Sequence, residues 1–109
     1  MIEIRIPPGV GGFVEDKDLG KNLRTEKIIP ALLDGQTVVL DFSDVKYATQ
    51  SFIHALVGEA FKRFGQDALD RIEFRKCSQQ LKSVIELVVA YSFTNFLQNS
   101  SVKMDRAVE

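Results

Sequence analysis

The sequence predicts an α/β domain, and three observations carry that prediction. Apolar residues alternate along the chain between the two-fold period of strands and the helical period of about 3.6. The run TVVLDF at residues 37–42 is short, β-branched and apolar, as a strand covered on both faces of a parallel sheet is. Finally, the order strand, helix, strand, helix, strand, helix favours right-handed crossovers and a partly parallel sheet. The 109 residues, 45% of them apolar, suffice for one domain with a real core and leave no room for a second. That domain is expected over residues 1–98, followed by a polar tail at 99–109.

The first strand is read at residues 2–6, where Ile2, Ile4 and Ile6 share one face and Glu3 and Arg5 the other. Pro7 and Pro8 end it, and GVGGFV follows as a loop or irregular hairpin leading to a short strand at Phe13 and Val14. Leu19, Leu23, Ile28, Ile29, Leu32 and Leu33 recur at helical spacing over residues 16–33, with Asp16 or Asp18 as N-cap. Pro30 lies inside that helix and is expected to kink or split it. After Asp34-Gly35 comes the central strand, then a loop, then a helix from about Ser51 to Phe64. Its apolar residues Phe52, Ile53, Ala55, Leu56, Val57, Ala60, Phe61 and Phe64 span more of the circumference than one sheet face needs. The surplus is expected to meet a protein partner or a second copy in a homodimer. RIEFRK at 71–76 reads as the last strand, and Ser78 caps a helix carrying Leu81, Val84, Ile85 and Val88.

Several classes of chemistry are disfavoured. A net charge of -1 offers no field for nucleic acid or an acidic membrane surface. GVGG is followed by Phe13, Val14 and Glu15, so it fits neither a phosphate-binding loop nor a dinucleotide fingerprint. His54 and Cys77 are the single histidine and cysteine, too few for a transition-metal site, so neither metal nor cofactor is expected. Asp41 and Asp44 read as loop-stabilising acceptors rather than cation ligands. Ser51 and His54 stand three apart at a helix start, yet no orienting carboxylate accompanies them, so no enzyme is inferred. A lone thiol and an opening, MIEIRIPPGV, with charges among its apolar residues lead to the expectation of a cytoplasmic protein without a membrane span.

The segment VVLDFSDVKYATQSFIHALVGEAFKRF, with Asp41 and Phe42, Val45 and Tyr47, Thr49-Gln50-Ser51 and Gly58, resembles the STAS domain, the sulphate transporter and anti-sigma factor antagonist family. The later RIEFRKCSQQLKSVIEL is similar to that family's next strand and helix. VLDFSDV followed by QSF is closest to the bacterial STAS-like domains of unknown function. The resemblance implies a small mixed sheet of about four strands with helices packed on it. It also implies a regulatory, non-catalytic module that binds a protein partner, of which a histidine-kinase-like ATPase is one kind. In the antagonists a serine at this helix start is phosphorylated. Aligned without gaps, that serine falls on Gln50, leaving Thr49 and Ser51 as the flanking phosphoacceptor candidates. The expected partner surface is the loop 43–51 with the following helix, through Thr49, Gln50, Ser51, His54, Gly58 and Lys62. A rival expectation is a ligand pocket at the strand carboxyl ends, where Asp41, Ser43 and Asp44 converge.

Overall fold

Alternating isoleucines give β1 (Ile2–Arg5), which pairs in parallel with β3 (Val38–Asp41); β3 pairs in parallel with β5 (Ile72–Arg75). A computed structural model, describing residues 1–93, sets these strands in the order β1-β3-β5. The expected tail at 99–109 lies outside the described residues. Two short strands, β2 (Phe13–Val14) and β4 (Tyr47–Ala48), form a separate parallel ribbon. Among the described residues every strand pairing is thus parallel, divided between two small sheets, where one mixed sheet of about four strands is expected from the resemblance. The antiparallel element among them is the bridge from Val10 to Phe13, closing the glycine loop. Gly11 (φ 61) and Gly12 (φ 91) occupy its two central positions, the left-handed pair that a type I′ turn requires.

The helices are α1 (residues 17–33), α2 (residues 50–64), α3 (Gln66–Arg71) and α4 (Gln79–Ser92). Asp16 caps α1, its carboxylate accepting from the N–H of Asp18 (2.9 Å) and Leu19 (3.3 Å). Pro30 does not split this helix. It follows a π-helical turn, Arg24–Ile28, whose wider ring accommodates a residue that has no N–H to give. A matching π turn, His54–Gly58, lies within α2, and the two helices cross beside these turns. At the crossing Arg24 Nη1 donates to the Ala55 carbonyl at 3.3 Å. Gly20 permits the close approach, since a Cβ there would lie 3.0 Å from Phe52 O and 3.1 Å from the Ala55 Cβ.

The core lies between the isoleucine face of the three-stranded sheet and this helix layer, uniting Ile4, Ile6, Val38, Leu40 and Phe42 with α1, α2 and α4. The opposite sheet face carries Glu3, Arg5, Glu73 and Arg75 around Val39 and Asp41. Among the described residues the core cluster lies on one face only, and Val39 on the other is fully buried as well, so the strand is enclosed on both faces as expected.

Candidate functional site

The loop 43–51 is fixed at several points along its length. Asp41 Oδ1 accepts from the Ser43 N–H at 2.9 Å. Lys46 and Tyr47 donate their N–H groups to Gly12 O at 2.8 and 3.1 Å, and Thr49 N–H donates to Val14 O at 3.0 Å. Ser78 Oγ donates to the Lys46 carbonyl at 2.8 Å while accepting from the Leu81 N–H at 3.1 Å, so one hydroxyl caps α4 and holds the loop. Thr49 then caps α2, its Oγ1 accepting from the Phe52 N–H at 3.2 Å. With the Thr49 oxygen engaged and its side chain half-buried, Gln50 and Ser51 are exposed on the first turn, and the Ser51 hydroxyl has no hydrogen bond among the described residues.

His54 is exposed one turn further, and its ring lies over Gly58: a Cβ on Gly58 would fall 2.9 Å from His54 Cδ2. Gly58 therefore makes room for a side chain of its own helix rather than for an outside neighbour. Lys62 is exposed as well, but the π turn changes the helical phase between His54 and Glu59, so Lys62 does not continue the line of a uniform α-helix.

The apolar arc of α2 is almost wholly enclosed. Of its eight apolar residues Phe52, Ile53, Leu56, Val57, Ala60 and Phe61 are fully buried and Ala55 and Phe64 half-buried, because α2 packs against both α1 and α4. This overturns the expectation that greasy residues of this helix are left for a partner. Exposed apolar side chains are found at separate places, among them Leu33, Leu87 and Tyr91, and beside the loop Phe13, 39% exposed, stacks on Tyr47 at 5.6 Å between ring centres and 5° between planes. Val10, 88% exposed, stands at the hairpin in front of them. The short strand at Phe13 and Val14 is as expected, but its partner Tyr47–Ala48 falls where a loop is expected, because two residues show no period, so the stacked pair escapes sequence patterning.

Around Asp41, Ser43 and Asp44 the carboxylates are engaged by the protein's own groups rather than converging on one point. Asp41 is turned to the Ser43 N–H, and Asp44 grips the Arg5 guanidinium through two contacts of 2.8 and 3.2 Å. An open groove of about 520 Å³ lies instead between the end of β5 and α4, lined by Phe74, Lys76, Cys77, Lys82 and Ile85 among others. Burial pushes the Cys77 thiol above its ordinary value, against the pull of Lys82, which keeps it a poor nucleophile at neutral pH. Among the described residues no cluster of three or more His, Cys, Asp or Glu side chains is placed to hold a metal, and no helix is long and apolar enough to cross a membrane.

The Asp41 carboxyl is held below its ordinary value of 3.8 by the bonds it accepts from Ser43. A lowered native value means that the stabilisation is present above the unfolded value and is lost as pH falls through the native one. Asp41→Asn is therefore expected to flatten the acid limb of stability below about pH 4, measured by urea unfolding across pH. An unchanged limb would assign the acid sensitivity elsewhere, with Glu73, lowered by Arg75, the next group to replace.

A family model described as a STAS-like domain of unknown function (DUF4325) matches residues 20–82. The chain belongs to this family. The match begins at the Gly20 crossing and ends in the first turn of α4, so it takes in the loop 43–51, α2 and the Ser78 cap. No match was found among curated proteins or among solved structures. Within this STAS-like domain Phe52 is fully buried, so its ring leaves the outer surface of the helix start unobstructed.

Proposed function

We propose that this STAS-like domain is a non-catalytic regulatory module that binds a protein partner through the loop 43–51 and the start of α2. One observation carries the reading: an exposed aromatic stack, Phe13 on Tyr47, adjoins a helix start that turns Gln50, Ser51 and His54 to solvent. Apolar rings rimmed by polar side chains suit protein recognition better than they suit a small ligand, which needs concavity. A histidine-kinase-like ATPase is the partner class that the family resemblance implies. Partners captured from the native cell are expected to be lost on Gln50→Arg or His54→Glu while circular dichroism is unchanged. An identical partner set after both substitutions would rule out this surface.

A second reading, a phosphorylation switch, is favoured by the different states of the two hydroxyls. Thr49 is committed to capping, whereas Ser51 is exposed at the second position of α2, where added negative charge is welcomed by the helix N-terminus. Phosphate on Ser51 would add about two negative charges beside the aromatic stack and change which partner docks. Mass spectrometry of protein from the native cell is expected to find the modification in wild type and Thr49→Ala but not in Ser51→Ala. Absence of phosphate under all growth conditions removes the switch while leaving the binding surface intact.

A further inference from the structure

The sheet has one edge whose hydrogen-bonding groups and side chains both match themselves. On β1 the N–H groups of Ile2 and Ile6 point into the sheet, donating to Thr37 O and Asp41 O at 2.9 Å each. Alternate residues of a strand point the other way, so the N–H and C=O groups of Glu3 and Arg5 face outward, and β1 pairs with no strand but β3 among the described residues. Pro7, which lacks an N–H, marks the end of the edge.

We infer that this edge pairs with the same edge of a second copy, antiparallel about a two-fold axis at Ile4. In that register Glu3 of each copy lies opposite Arg5 of the other, and the two residues exchange both main-chain hydrogen bonds. The same register sets Ile4 opposite Ile4 and Ile2 opposite Ile6 on the helix-covered face, where Ile4 and Ile6 are already buried in their own chain, so the match is carried by the main chain and by the charged face. An axis at Glu3 or at Arg5 would set like charges opposite, which disfavours the neighbouring registers. The other free edge, β5, is less suited. An axis at Glu73 opposes like charges, and an axis at Phe74 needs Lys76 in the ladder, where its φ of 60 takes the chain out of the extended region. Arg5 keeps 67% of its side chain accessible despite its two contacts with Asp44, so turning it to the second copy exchanges one exposed carboxylate for another. The product is a continuous six-stranded sheet with both sets of helices on isoleucine-side faces.

Sedimentation velocity of the full chain over a concentration series tests this, with reductant present so that Cys77 forms no cross-link. A reversible dimer is expected, weakened about ten-fold or more by Glu3→Arg or by Arg5→Glu, and restored in the double exchange Glu3→Arg with Arg5→Glu. Hydrogen exchange gives a second readout: the Glu3 and Arg5 amides should slow with rising concentration while that of Ile4, already bonded inward, does not respond. A monomer at every concentration overturns the pairing. So does a dimer insensitive to both single reversals, or exchange at Glu3 and Arg5 that ignores concentration.

Discussion

Replacing Phe52 with alanine is expected to cost about 3–5 kcal/mol, a large part of the ~5–15 kcal/mol that holds a domain together. The ring is fully buried, and it is joined to its surroundings at both ends of the residue. Its N–H is held by the Thr49 cap and its carbonyl lies against Gly20 of α1, so the void left by the ring cannot close by moving the backbone. Urea unfolding of Phe52→Ala against wild type measures the loss. A loss under about 1 kcal/mol would mean that the ring is not packed as described. Phe52→Leu, which restores most of the volume, should recover much of the stability.

Gly20→Val is the second large effect. Its Cβ would meet a backbone oxygen at 3.0 Å and a Cβ at 3.1 Å, and neither belongs to a flexible side chain that can swing aside. The added methyls then force α1 away from α2, at a cost of about 1–3 kcal/mol or more. Gly20→Ala separates sterics from helix propensity, because the ~1 kcal/mol that alanine gains over glycine in a helix interior opposes the same close contact. A near-neutral alanine beside a strongly destabilised valine is the expected pattern, read from paired denaturation curves. Equal stability of all three would show that the helices cross elsewhere. The valine variant should also loosen the Arg24 contact with the Ala55 carbonyl, and with it the π turn from which His54 projects.

Much of this architecture is legible in the residues themselves, because the three longer strands and the three longer helices are written in simple periods. Ile2, Ile4 and Ile6 announce β1, TVVLDF announces β3, and Asp16 and Ser78 act as the caps their positions suggest. Elements too short to show a period escape: Tyr47–Ala48 is a two-residue strand, and Gln66–Arg71 is a helix with Ala68 as its single buried residue. The reading of α2 failed for a different reason. Counting apolar residues tells how much surface a helix must bury but not how many neighbours it has. A helix in the middle of a layer uses a wide arc on α1 and α4 without any partner. Gly20 carries no local signal, since a glycine demanded by a neighbouring helix looks the same as one that is merely tolerated. Of the candidate site, Thr49, Gln50, Ser51 and His54 are found together at one helix start, Gly58 is occupied by His54, and Lys62 is set apart by the π turn.

The chain has no tryptophan and only two tyrosines, Tyr47 and Tyr91. Its intrinsic ultraviolet emission is therefore that of two phenols, one of them lying face to face with Phe13 at the rim of the loop. With Tyr91 changed to phenylalanine, and excitation at wavelengths that phenylalanine does not absorb, the emission would come from Tyr47. The protein would then carry its own unlabelled optical sensor at the place where a visitor is expected to land.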